Sequence, residues 1–170
     1  MSAQALVADF QDSHSVQTLN LESWKIEISA ANNAFIHGQH ANAFTHYHAA
    51  LEIAEIGVAE LLLVQKVELL IEAERQVAAL VVTRHNLADL FRQAGQLTEA
   101  VKHLCEAHES LFKLLHHANS DVQILAQRHS RITYQELMSF TQHHGKNSRI
   151  QQSLLLTKFV CECCRQKVSH

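Results

Sequence analysis

Proline is absent from all 170 residues, and the four glycines, Gly38, Gly57, Gly95 and Gly145, stand far apart. A chain reversal calls for φ > 0 or for a preset φ near −65°, which is why turns consume Gly and Pro. Average usage would put about 12 Gly and about 8 Pro in a chain of this length. A β-sandwich, a β-barrel or a Rossmann fold needs more turns than four isolated glycines can serve, so an all-helical chain is expected. The same spacing excludes a P-loop and a GxGxxG fingerprint, because no two glycines share a short loop.

The length suits one domain with its own core, stable without disulfides or metal. The formal net charge of −3 is uneven: residues 1–120 carry 7 basic and 14 acidic side chains, residues 121–170 carry 7 and 3. A nucleic-acid domain shows a denser basic stripe with aromatic interleaving. The Arg and Lys side chains of 128–167 therefore read as a solvated face, and no nucleic-acid partner is expected. Fourteen histidines, if all protonated, would carry the net charge from −3 to +11. They read as surface histidines on helices, titrating near pH 6.5.

The first ten residues, MSAQALVADF, have no basic n-region and no continuous apolar stretch, so they do not read as a signal peptide. Leu61 to Val82 is the greasiest segment, but Lys66, Glu68, Glu72, Glu74 and Arg75 interrupt it, and no membrane association is expected. Without export the cysteines stay reduced, and the expected compartment is the cytoplasm.

Residues 1–19 are weakly patterned, and 20–170 read as a single helical domain of five to seven helices. Asn20 is a candidate N-cap for a helix running to Gly38. A second helix starts near His40 or Ala41, with Ala43, Tyr47, Ala50, Leu51 and Ala54 at spacings of three and four, and it bends or continues at Gly57. From Glu60 to about Ala94 a helical pattern carries a narrow polar stripe, Glu60, Gln65, Glu68, Glu72 and Gln76, so this helix should be central. Another spans Gly95 to about His116. Ser120 with Gln123, and Ser148 with Gln151, read as capping boxes for the last two helices. Short joints make neighbouring helices antiparallel.

Residues 86–107 resemble a tetratricopeptide repeat (TPR): Leu87, Ala88, Phe91, Gly95, Ala100, Leu104 and Ala107 fall at that family's signature positions. Small residues there let two antiparallel helices approach, and large ones fill the space between them. A second copy aligns at Ala30, Ala31, Ala34, Gly38, Ala43, Tyr47 and Ala50. A degraded third aligns at Tyr134, Leu137, Met138, Gly145 and Leu154, with Ile150 and Thr157 where small residues are usual. The repeat-like pairs fall at about 22–55, 78–116 and 121–164. The glycines are 57 and 50 residues apart, against a repeat period of about 34, and no proline closes a repeat. The fold expected from the resemblance is a short TPR-like right-handed superhelix of stacked antiparallel helix pairs, as in a divergent bacterial family.

Other constellations carry less. Cys161 and Cys164 share a helix face near His170, but a structural zinc site wants four ligands and no second CxxC exists. No ExxH or HxxxH occurs, which removes di-iron bundles and helix-borne zincins. Cys105 lies three residues before His108, a pair that reads as packing rather than as an activated thiol. Trp24, Phe35, Tyr47 and Phe91 read as core. No catalytic residue, metal or cofactor is expected.

The resemblance implies a non-enzymatic module that binds a peptide or helix of another protein in a groove lined by the first helix of each pair. Carried over residue by residue, the groove would present Lys25 and Asn32, then His85, Asn86, Asp89 and Arg92, then Gln135 and Ser139. Asp89 would repel a carboxylate, so a peptide of mixed charge fits better than a chaperone's C-terminus. His85, Asp89 and Arg92 should project together and be dispensable for packing. The alternatives are a metal- or redox-responsive regulator using the Cys161–Cys164 tail and, below it, a nucleic-acid-associated helical protein. A homo-oligomer is compatible with the sequence.

Overall fold

A computed structural model describes residues 21–63 and 70–157, and every structural statement below concerns these residues. They form six helices with no strand among them: α1 (residues 21–36), α2 (His40–Leu63), α3 (Leu70–Gln93), α4 (Leu97–Leu114), α5 (Ser120–His144) and α6 (Ser148–Thr157). The all-α expectation holds. Asn20, Gln65, Glu68 and the Cys161–Cys164 tail lie outside the described residues.

The joints show how local chemistry stops each helix. At the end of α1 the Gln39 amide donates to the Ala34 carbonyl and the Gly38 amide to that of Phe35. At the end of α3, Gln96 donates to Phe91 and Gly95 to Arg92 in the same pattern. Both are Schellman closures, and both place glycine at positive φ, +70° for Gly38 and +73° for Gly95. The helices after the later joints are capped by asparagine. The Asn119 side chain accepts from the Asp121 amide, and the Asn147 side chain from those of Arg149 and Ile150. The expected capping boxes are therefore displaced by one residue. Ser120 and Ser148 are already helical, and Gln123 gives its amide to the His117 carbonyl instead of reaching back.

Helix α2 runs straight through Gly57, and Glu60 belongs to it, not to a separate helix beginning there. An added Cβ at Gly57 would stand 2.0 Å from Gln76 Oε1, so the missing side chain leaves the space that the end of the Gln76 side chain occupies against α2. Gln76, expected on a polar stripe, is instead buried at 6% exposure. Helix α3 is central as expected, packing on α2, α4 and α5, while α4 also packs on α5 and α6.

Small residues fill the interfaces. Ala31, Ala43, Ala50, Ala100, Ala107 and Ala126 are fully buried. A larger apolar cluster spans the α1–α3 region and reaches the end of α4 and the start of α5; a smaller one joins Ala88, Ala100, Leu104, Leu137, Phe140 and Ile150. Phe91 and Leu154 pack against both. Met138, aligned with a core position of the third copy, is exposed.

Polar clamps tie the helices together. Trp24 Nε1 donates to Thr83 Oγ1 at 2.9 Å, joining α1 to α3. Arg84, on α3, reaches Glu55 of α2 and Glu106 of α4 while its own side chain is 11% exposed. Arg149 of α6 grips both carboxylate oxygens of Glu109 on α4, an interaction that holds the Glu109 carboxyl below the usual carboxylate range.

Candidate functional site

The polar residues that the sequence singled out lie on α1, α3 and α5, and the structure brings some of them together. Asn32 Oδ1 accepts two hydrogen bonds, from the Tyr47 hydroxyl at 2.8 Å and from Asn86 Nδ2 at 3.1 Å. One carboxamide thus joins three helices. Asp89 and Arg92, one turn apart on α3, are paired through both Arg92 Nε and Nη2 on Asp89 Oδ1. The Asp89 charge also raises the pKa of the Tyr47 hydroxyl, secondary to burial. The asparagine pair and the Asp89–Arg92 pair are therefore electrostatic neighbours.

Beyond Asp89 lies a cavity of about 410 Å³ between α3 and α5, lined by Asp89, Arg92, Glu136, Ser139, Phe140, His143 and His144. Ser139 is the predicted α5 residue that enters this site. Gln135 is exposed on α5 but does not line the cavity. Lys25 is exposed on α1 and paired with Glu22, apart from the others.

His85 departs from expectation. Half-buried on α3, its Nε2 is enclosed without a partner, and burial pushes its pKa down to about 4 against the opposing pull of Asp89. It does not project with Asp89 and Arg92 as a dispensable surface group, because the packing of α3 takes it in.

The histidines as a class are less superficial than their number suggested. His103, His108, His117 and His129 are buried. Burial pushes the pKa of His103 and of His108 down to about 4, and Arg84 adds to the effect at His103. Thr133 Oγ1 gives its proton to backbone carbonyls, so His108 Nδ1–H donates to it at 2.8 Å. His117 accepts the Asn119 amide at Nδ1, and its Nε2–H donates to the Leu61 carbonyl. His108 and His117 thus serve as tethers between helices, while both ring nitrogens of His129 are enclosed without a hydrogen bond.

Cys105 and His108 do not make a nucleophile. Burial raises the Cys105 thiol to about 11, the reverse of thiolate activation, and His108 turns to Thr133. Among the described residues no group of three His, Cys, Asp or Glu side chains is placed to hold a metal ion.

Sequence reasoning missed Tyr47 as a polar contributor and Glu136, Phe140, His143 and His144 as cavity walls. A buried tyrosine needs a partner for its hydroxyl, which was the available signal for the first. For the others, positions 136, 140 and 143 follow one another at helical spacing, but nothing local says that this stripe meets α3.

These observations define an all-α protein whose successive helices pack on their neighbours, with no described helix long and apolar enough to cross a membrane. The chain belongs to the family described as "Protein of unknown function (DUF2753)", which matches residues 22–168. No curated protein and no solved structure matches it.

Proposed function

We propose that this chain is a non-enzymatic, TPR-like interaction module of the bacterial cytoplasm that holds a peptide or helix of a partner protein across α1, α3 and α5. The observation that carries the reading is the run of polar groups from Asn32 and Asn86 to Asp89, Arg92 and Ser139, which ends in a side-chain-sized cavity. Clefts with a few convergent polar groups are the usual place for recognition. Asp89 and Arg92 are exposed and one turn apart on α3, so their polarity is not spent on holding the core. The buried Cys105 thiol supports a binding role over a catalytic one.

The test replaces surfaces in the full-length chain and measures capture of partner proteins from the native host. Asp89→Ala with Arg92→Ala should weaken capture several-fold, since charged groups in a groove set specificity and encounter rate. Lys102→Ala with Lys113→Ala, two exposed changes on α4, should leave it unchanged. The reverse pattern would move the working surface to α4 and reject this reading.

A further inference from the structure

The cavity between α3 and α5 has a chemistry of its own. Its floor is aromatic: Phe140 is 7% exposed, and its ring centroid lies 4.5 Å from that of His144, the planes tilted by 35°. Its walls carry three formal charges, Asp89, Arg92 and Glu136. Arg92 places both of its hydrogen bonds on the single oxygen Oδ1 of Asp89, which leaves Oδ2 open. Glu136 is exposed and has no ion pair among the described residues. His143 Nδ1–H is used by the Ser139 carbonyl at 2.7 Å, which turns that ring along its own helix. Counted over Asp89, Arg92 and Glu136, the cavity carries one uncompensated negative charge. An anion would meet two carboxylates against one guanidinium that is already engaged.

From this geometry we infer that the α3–α5 cavity is the socket for an arginine side chain of the partner segment. The inference rests on the interaction-module reading and gives the partner a chemical mark. A planar guanidinium stacks on an aromatic face and offers a fork of donors matched to carboxylates, which an ammonium does not. Phe140 and His144 supply the face. Asp89 Oδ2 and the Glu136 carboxylate supply acceptors from opposite helices. At about 410 Å³ the cavity has room for an arginine side chain with ordered water. Asp89 lies one helical turn after Asn86 on α3, so a segment seated at the asparagines can drop its arginine into the cavity.

The experiment selects binders for the full-length chain from a displayed library of random twelve-residue peptides and measures their affinities by fluorescence anisotropy. Selected peptides should carry arginine, and changing that arginine to citrulline, which keeps the shape and removes the charge, should weaken binding at least tenfold. Glu136→Gln and Asp89→Asn should each weaken the arginine peptide several-fold and leave the citrulline peptide unaffected, with melting curves confirming the fold. Binders indifferent to citrulline, or to both carboxylate changes, would overturn the arginine socket. In that case the module reading would still stand if Asn86→Ala abolished their binding. Free spermidine or free arginine binding as tightly as the peptide would make the occupant a small cation and overturn the assignment to a protein segment. Failure to select any peptide would reject both readings.

Discussion

Asn86 Nδ2 donates to Asn32 Oδ1 at 3.1 Å, a contact between residues 54 positions apart that fixes α3 against α1. The same oxygen receives the hydroxyl of Tyr47, whose side chain is 1% exposed. Removing the shared acceptor strands a buried hydroxyl, whereas removing Asn86 takes one of two donors from an exposed acceptor that keeps the Tyr47 hydroxyl. Asn32→Ala should therefore cost about 1–3 kcal/mol. Asn86→Ala should cost less, about 0.5–1 kcal/mol. Urea unfolding of the two variants would measure the difference, and equal losses would mean that the Tyr47 hydroxyl finds water instead.

Two small residues stand where added volume meets a neighbouring side chain. Ala100, fully buried in the smaller apolar cluster, should cost about 1–3 kcal/mol when changed to Leu, through overpacking. Gly57→Ala should also destabilise, although alanine is the better helix former by about 1 kcal/mol, because the new methyl meets the Gln76 side chain. Pairing it with Gln76→Ala should recover part of the loss. Additive effects in this double-mutant cycle would show that the two positions do not touch.

Stability should fall on mild acidification. His85, His103 and His108 each have a folded pKa near 4 because burial disfavours the charged ring. In the unfolded chain they titrate near 6.5, so between about pH 6.5 and pH 4 the unfolded state binds more protons. Stability is thus full above about pH 6.5 and declines as the pH drops, at up to about 1.4 kcal/mol per pH unit for each ring. Urea midpoints at pH 7.5 and pH 5.0 would test this, and His108→Gln should flatten the dependence. A midpoint constant over that range would mean the rings gain solvent or partners on protonation.

Arg149 is a structural tie and not a free basic surface group. Its fork on Glu109 joins α6 to α4 beside Cys105. Arg149→Ala should destabilise the protein by about 1–3 kcal/mol and speed exchange of the α6 amides. Arg149→Lys should recover only part, since an ammonium cannot make the paired bonds. Hydrogen exchange resolved to α6 would check both, and unchanged protection would place the stability of α6 in Ile150 and Leu154 alone.

The local chemistry of the chain determined its class. Absent proline, four scattered glycines and apolar spacings of three and four sufficed for an all-helical protein with joints at Gly38, Gly95 and Gly145, because helix propagation and termination depend on a few consecutive residues. The small residues of the repeat-like copies, Ala43, Ala50, Ala100 and Ala107, were likewise readable as interface positions and are buried. Other features waited for tertiary structure. His85 and His103 look alike in sequence to the exposed His143, and only the helices packed around them decide which rings lose water. Asn119 displaced Ser120 as a cap because its extended backbone aims the carboxamide at the Asp121 amide. Glu136 and Phe140 became cavity walls through the packing of α5 on α3, a contact across about 50 residues that no periodicity encodes. Burial and convergence depend on what lies opposite, and in a helical chain that is set by how whole helices pack.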